Sequence, residues 1–110
     1  MVDLKVNLCG VEMSNPIIPA SGTFGFGEEF KDFYDINILG SFSTKGTTRE
    51  ARFGNATPRI AETPSGMLNS VGLQNPGIDV VVNEKMPQIK EYFKKGVVAN
   101  ISGFSLDEYV

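Results

Sequence analysis

The sequence predicts an α/β fold. Specifically, it predicts the N-terminal part of a (β/α)8 TIM barrel, with an N-terminal β-hairpin and an excursion hairpin above the barrel. Strand-like and helical patterns alternate along the 110 residues, and this alternation is typical of parallel α/β folds. About three barrel strands can be counted, whereas a closed barrel of eight strands takes ~250 residues. We therefore expect residues 1–110 to form one partial barrel domain that is incomplete and has open strand edges.

The N-terminal pattern predicts a small hairpin followed by the first barrel strand. Residues 4–13 alternate apolar and polar side chains around a possible turn at Cys9 and Gly10. Two prolines then frame a short apolar run in residues 15–19, which suits a strand better than a helix. The small residues Ala20 and Ser21 follow at its C-terminal end, where the sites of α/β barrels lie. A plain tight turn is the alternative interpretation of this stretch.

The glycine-rich residues 22–27 predict a flexible loop leading into a helix. Their glycine spacing differs from the G-x-G-x-x-G dinucleotide motif. From Glu28 to about Tyr34 we expect a helix, because Phe30, Phe33 and Tyr34 have the i, i+3, i+4 spacing of a packed face.

Lys45 is the most unusual residue of the predicted second strand region. Residues 38–44 are typical of a buried strand, and Lys45 follows at its end. An ammonium group resists burial unless it meets an anion, and Gly46 leaves room for a ligand to approach the backbone. The hypothesis is that Lys45 faces an electron-rich cofactor and a carboxylate substrate.

Residues 59–77 predict a hairpin and a polar loop. Two strand-like runs flank residues 64–65, which is typical of an excursion hairpin. Residues 69–77 are rich in amides and glycines, which can bind a planar polar ligand or form an ordinary turn. We expect the nearby Arg49, Arg52 and Arg59 to be solvated or paired with Glu50 and Glu62.

The C-terminal third predicts a helix, a strand and a nascent helix. Residues 78–95 have a helical apolar face, with a kink or break near residue 86 because Pro87 lies inside the pattern. Residues 97–103 predict the third parallel strand, with Asn100 as a polar break. Ser105 is the expected N-cap of the last helix.

Composition excludes several classes of function. The net charge of -3 argues against a nucleic-acid partner or an anionic membrane. No window approaches the ~20 apolar residues of a membrane span, and we expect a cytoplasmic protein. With no histidine and one cysteine, the sequence predicts no metal site and no histidine-based catalysis.

Several motifs together resemble class 1 dihydroorotate dehydrogenases, and in particular the N-terminal part of the catalytic subunit of the 1B type. Residues 44–48 are Thr-Lys-Gly-Thr-Thr. The form Lys-Gly-Thr-Thr resembles the 1B type, whereas the 1A type usually carries Lys-Ser at this point. Order and spacing agree along the whole chain. The matching stretches are residues 15–25, 44–48, 54–59, 62–77 and 99–103.

The resemblance implies a flavin-binding barrel that oxidises dihydroorotate to orotate in pyrimidine (UMP) synthesis. An ammonium at Lys45 would suit the negative charge that a reduced flavin carries. The residues implied as FMN contacts are Ala20, Ser21, Lys45, Gly46 and Asn100. Those implied as substrate contacts are Lys45, Asn69, Ser70, Val71, Gly72 and Leu73.

The resemblance also implies what lies outside these residues. The family's base cysteine falls beyond Val110, so no catalytic residue is expected here, and Cys9 does not match it. The implied partners are a second catalytic subunit in a homodimer and an iron–sulfur/FAD subunit that passes electrons to NAD. One alternative is a truncated, non-catalytic fragment that self-associates and binds no flavin. A weaker alternative is a related flavin barrel such as dihydropyrimidine dehydrogenase.

Overall fold

The computed structural model describes residues 2–110 and begins with the predicted hairpin. Strands β1 (Val6–Leu8) and β2 (Val11–Met13) pair antiparallel. The turn places both Cys9 and Gly10 at positive φ, 51° and 88°, and the Gly10 N–H donates to Asn7 Oδ1 at 2.9 Å. This asparagine bond stabilises the turn. Cys9 is exposed at its tip.

Three parallel segments (residues 17–20, 40–48 and 97–102) form the centre of the fold. The second pairs with the third through parallel bridges at Ser43–Val98 and Thr47–Ile101. The first joins the second because Ile17 and Pro19 carbonyls accept from residues 40 and 43 at 3.1 Å. The three predicted barrel strands are therefore present only as segments joined by isolated bridges and single hydrogen bonds. The predicted buried strand at 38–44 begins later than expected, because Ile36–Ile38 form a 3-10 turn and Ile38 is 65% exposed. Within residues 2–110, no further strand covers the outer edge of the third segment.

The excursion hairpin is confirmed as β3 (Ile60–Thr63) and β4 (Gly66–Asn69). The two strands pair antiparallel in a register that places Ile60 opposite Asn69. All eight residues are exposed, so the hairpin projects away from the core. The loop that leaves β4 leads back to the parallel segments.

The long helical pattern forms one helical stretch that contains a π-helical turn. Helix α2 (Ile78–Val80) leads into a π turn at Val81–Lys85, and α3 (Met86–Tyr92) follows. Pro87 lacks the N–H that an α-helix would use at this point, and its ring clashes with the carbonyl four residues earlier. The wider π turn before it accommodates the proline without breaking the helix.

The apolar face of this helix packs on an aromatic core. Phe42 is fully buried, and its ring centroid lies 5.0 Å from those of both Phe24 and Phe93. Ile36 and Ile89 complete the buried centre, at 1% and 2% exposure. The apolar face predicted within residues 78–95 is confirmed, because Val81, Ile89 and Phe93 are buried and the partly buried Met86 packs against the core.

The predicted helix from Glu28 to Tyr34 is wrong. The chain instead forms successive turns there, and a short helix α1 (Ser21–Phe24) precedes them. Gly25 and Gly27 take positive φ, 61° and 81°, which interrupts helical backbone. Phe30 stacks on Phe24 at 4.6 Å between centroids, whereas Phe33 is 83% exposed. Phe30 of the proposed helical face therefore packs against Phe24 although its backbone forms turns, and the aromatic spacing did not indicate a helix here.

Ser105 occupies the predicted N-cap position, but the element that follows is shorter than expected and lacks the side-chain capping bond. Residues Leu106–Glu108 form a single 3-10 turn, and the Ser105 side chain makes no cap hydrogen bond. The Glu108 carboxylate reaches back and accepts from the Phe104 N–H, which precedes the turn, at 2.6 Å.

No helix within residues 2–110 has the length and apolar character that crossing a membrane requires.

Candidate functional site

The ends of the first and third parallel segments meet through side chains. Asn100 Nδ2 donates to Ser21 Oγ at 2.8 Å, and the Asn100 N–H donates to Thr44 Oγ1 at 3.2 Å. Ala20 precedes Ser21 with extended backbone and is exposed. These contacts place predicted cofactor residues from two segments at one end of the parallel array.

Three side chains from other parts of the chain lie close to Gly46. It is buried, and a Cβ built on it would have Ser102 Oγ, Asn100 Nδ2 and Leu73 Cδ2 at 3.4, 3.5 and 3.6 Å. The glycine thus keeps open a small space bordered by a hydroxyl, an amide and an aliphatic side chain. Of these neighbours, Ser102 was missed by the sequence reasoning, because a serine in a strand pattern carries no distinctive signal.

Lys45 is half-buried and lines a cavity of about 730 Å³. The cavity wall carries both charges: Arg52 and Lys85 are positive, and Glu28 and Glu29 are negative, with Lys85 paired to Glu28 at 3.4 Å. Phe24 and Phe53 add aromatic surface. Among residues 2–110, the ion pairs involve Lys5 and Lys85 and not Lys45. The described chain therefore leaves the Lys45 ammonium without a carboxylate partner.

The predicted substrate loop is tied to the segment before the excursion hairpin. Asn55 Nδ2 donates to Ser70 O and Ser70 Oγ, both at 3.0 Å, and the Asn55 N–H donates to Val71 O at 2.9 Å. A Cβ on Gly54 would collide with that same Val71 carbonyl oxygen. Close backbone approach therefore fixes residues 70–71, and Asn55 was missed because a surface asparagine in a turn-rich stretch looks ordinary.

The far end of this loop reaches the parallel segments. Gly72 and Leu73 take positive φ, 78° and 54°, and Leu73 points its side chain to the space at Gly46. Asn69 ends β4, and the Ser70 N–H donates to Arg59 O at 2.7 Å. The structure thus brings Leu73 to the site, whereas Asn69 and Ser70 make no hydrogen bond to the parallel segments within residues 2–110.

The expectation that the arginines are solvated is confirmed for Arg49 and Arg52, which are both exposed. Arg59 does not pair with Glu62; its guanidinium donates to Gln74 Oε1 at 2.6 Å and to Phe53 O at 3.0 Å. Arg52 stacks on the Phe104 ring at 4.5 Å from its centroid. Arg52 and Arg59 therefore link parts of the chain through amide, carbonyl and aromatic partners, and within residues 2–110 neither forms an ion pair.

Two titratable groups outside the site have shifted pKa values. Burial and the nearby negative charge of Glu28 raise the pKa of Tyr92 to about 12, and its hydroxyl donates to Phe26 O at 2.9 Å. Hydrogen bonds from the Asn37 side chain and backbone hold the pKa of Asp35 below its ordinary value.

Within the described residues, no three His, Cys, Asp or Glu side chains are grouped as metal ligands. Cys9 lies on the exposed hairpin turn.

Comparison with solved structures places this arrangement in the TIM-barrel class. A crystal structure of DHODH in complex with ferulenol from Eimeria tenella superposes with a TM-score of 0.59 over 96% of this chain and 30% of that one, at 19% identity. At this identity the likeness concerns the fold.

The sequence comparisons identify the family. The sequence model of dihydroorotate dehydrogenase matches residues 3–110, and the chain belongs to the dihydroorotate dehydrogenase family. It is 58% identical over 107 residues to the catalytic subunit of dihydroorotate dehydrogenase B (NAD(+)) from Streptococcus pneumoniae, covering 96% of this chain and 34% of that one. The protein of the same name from Latilactobacillus sakei is 55% identical over 109 residues, covering 98% and 36%. The chain thus spans about a third of the length of these curated relatives.

Proposed function

We propose that this chain forms part of an FMN-dependent oxidoreductase that oxidises dihydroorotate to orotate in pyrimidine biosynthesis. Residues 1–110 contribute a partial domain, the first strands of an eight-stranded barrel. The observation that carries the proposal is the position of Lys45. It is half-buried on a cavity wall and has no carboxylate partner in the described chain. The same cavity is lined by Gln74, Asn75 and Pro76, which belong to the stretch 62–77 that matches the family.

The residues at the ends of the parallel segments fit a flavin. Ser21, Asn100 and Ser102 provide hydroxyl and amide groups around the open space at Gly46, which suits the carbonyl and ring nitrogen atoms of a planar heterocycle. We assign Ala20, Ser21, Lys45, Gly46 and Asn100 to FMN binding. When bound, FMN supplies the hydride acceptor for the reaction.

Lys45 and the loop at residues 69–73 bind the substrate in this proposal. The Lys45 ammonium pairs with the substrate carboxylate and also lies near the developing negative charge, where a fixed cation lowers the barrier. The assigned loop residues are Asn69, Ser70, Val71, Gly72 and Leu73. Their amides and backbone groups bind the polar edge of the pyrimidine ring. The base that removes the substrate proton is not among these residues.

The names of the relatives support a proposal about partners. They are catalytic subunits of an enzyme that carries NAD(+) in its name. We propose that electrons pass from FMN to NAD through a separate iron–sulfur/FAD subunit, that the catalytic subunits form a homodimer, and that the enzyme works in the cytoplasm.

A second candidate concerns these 110 residues in isolation. Val98 and Ile101 of the third parallel segment are 42% and 57% exposed, and the outer edge of this segment, away from its bridges to Ser43 and Thr47, has no strand partner in residues 2–110. Open apolar strand edges promote association. The isolated residues would then self-associate and bind no flavin.

The visible absorption spectrum separates the two candidates. The purified protein is measured before and after anaerobic addition of dihydroorotate. Flavin bands that bleach support the oxidoreductase, and bands that persist contradict the substrate assignment. A colourless, oligomeric sample supports the second candidate.

A further inference from the structure

Asn75 is the most heavily bonded side chain near the site, and no function has yet been assigned to it. It is 6% exposed. Its Oδ1 accepts from the N–H groups of Thr48 at 3.1 Å and Gly77 at 3.0 Å. Its Nδ2 donates to Leu73 O at 2.7 Å and to Thr48 Oγ1 at 3.0 Å. The amide thus uses both its donor and its acceptor capacity within the protein.

The backbone around Asn75 reinforces these bonds. Asn75 and Arg52 exchange two backbone hydrogen bonds, at 2.8 and 3.0 Å. Gly77 takes φ 85°, and a Cβ there would lie 2.8 Å from the Ala51 nitrogen. The loop after Leu73 is therefore packed tightly against the stretch that follows the second parallel segment.

Two of the three residues that the Asn75 side chain bonds, Thr48 and Leu73, connect it to the two parts of the proposed substrate site. Thr48 lies three residues after Lys45, on the segment that presents the ammonium. Leu73 ends the substrate loop and holds an unfavourable left-handed conformation, φ 54°, which a non-glycine residue keeps only when its surroundings fix it. The hydrogen bond from Asn75 to the Leu73 carbonyl provides such a restraint.

We propose that Asn75 is a positioning residue that holds the substrate loop at a fixed distance from Lys45 and thereby sets the affinity for the planar carboxylate substrate. This inference rests on the proposed function. Asn75 does not touch the substrate; it acts through Leu73 and Thr48.

A general stabilising role is the competing explanation, and Asn37 provides the matched control. The Asn37 amide also joins distant parts of the chain: Nδ2 donates to Tyr92 O at 2.9 Å, and Oδ1 accepts from the Lys94 N–H at 2.8 Å. These bonds hold the end of α3 and not the substrate loop. Asn37→Ala therefore removes comparable bonds without touching the site.

The test compares Asn75→Ala with Asn37→Ala in the complete flavin-loaded enzyme. Three quantities are measured: the Kd for orotate from the flavin spectrum, the midpoint of urea unfolding, and hydrogen exchange in a peptide spanning residues 69–77. We expect both variants to lose stability. Asn75→Ala alone should raise the Kd for orotate about tenfold or more, which corresponds to the loss of one or two hydrogen bonds, and should accelerate exchange in residues 69–77.

Thr48→Val keeps the experiment decisive if Asn75→Ala does not fold. The valine preserves the buried volume and removes the hydroxyl that accepts a hydrogen bond from Asn75 Nδ2. We therefore expect a rise in the Kd for orotate that is smaller than the rise in Asn75→Ala. Equal orotate affinity in the folded Asn75 or Thr48 variant and in Asn37→Ala would overturn the inference while leaving the proposed function intact. If the unmodified enzyme bound no orotate, the proposed function itself would fail, and the inference with it.

Discussion

Asn100 and Ser21 are 79 positions apart in sequence, and the Asn100 amide donates to the Ser21 hydroxyl at 2.8 Å. This bond links the ends of the first and third parallel segments directly. In an α/β barrel the carboxyl ends of the strands form the site face. The bond therefore marks the face on which we place the flavin, independently of any ligand.

Ser21→Ala should weaken flavin retention without unfolding the protein. The change leaves the Asn100 amide without its partner and removes a hydroxyl from the proposed FMN site. Loss of one such bond corresponds to a rise of about three- to tenfold in the Kd for FMN, measured by fluorescence on titrating the flavin-depleted enzyme. Ser65→Ala, in the exposed turn between β3 and β4, is the control. Equal FMN affinities in the two variants would argue against the assignment of Ser21.

Phe42→Ala should destabilise the fold strongly. Phe42 is fully buried between Phe24 and Phe93, and truncating a buried phenylalanine costs about 3–5 kcal/mol. The free energy of unfolding in urea measures the loss. Phe33→Ala removes the same atoms from a side chain that is 83% exposed and should change stability little. Similar losses in both variants would contradict the aromatic core described above.

Tyr92→Phe should alter stability in alkaline solution. The pKa of Tyr92 rises from its ordinary value of 10.0 to about 12 on folding, so the folded state disfavours the ionised phenol. The stabilising contribution of the Tyr92 hydroxyl is present below pH 10 and is lost as the pH rises through 12. The variant should therefore be less stable at pH 7, where it lacks the bond to Phe26 O, and the gap should narrow between pH 10 and pH 12. Urea unfolding of both proteins between pH 7 and pH 12 measures this difference in stability. If stability fell in parallel in the two proteins, the raised pKa of Tyr92 would be contradicted.

The sequence predicted those elements whose local signals agree with their packing. Turn residues such as Cys9 and Gly10 located the first hairpin, and the apolar spacing of Val81, Ile89 and Phe93 located the packed face of the helix. The helix predicted at residues 28–34 was wrong because aromatic residues at helical spacing can also occur in a series of turns. Here Phe30 packs by stacking on Phe24 without a helix. Tertiary packing, and not local spacing, determined that residues 28–34 form turns instead of a helix.

The candidate site was predictable in part for a similar reason. Family motifs pointed to Lys45, Ser21 and Asn100, and the structure brings Ser21 and Asn100 into contact. Asn75 lay within the polar loop, but nothing in the sequence separates an amide that is buried and bonded to Thr48 from an exposed turn asparagine. Long-range hydrogen bonds of this kind depend on the fold.

The rate of anaerobic flavin reduction by dihydroorotate in Lys45→Ala tests the central claim most directly. The account predicts a rate at least about 100-fold slower than in the unmodified enzyme, as expected when a fixed group that stabilises developing charge is removed, together with weaker orotate binding. Lys90→Ala, which removes the same charge from an exposed position on α3, should reduce its flavin at the normal rate. Unchanged reduction kinetics in Lys45→Ala would contradict the role assigned to Lys45 and the site built around it.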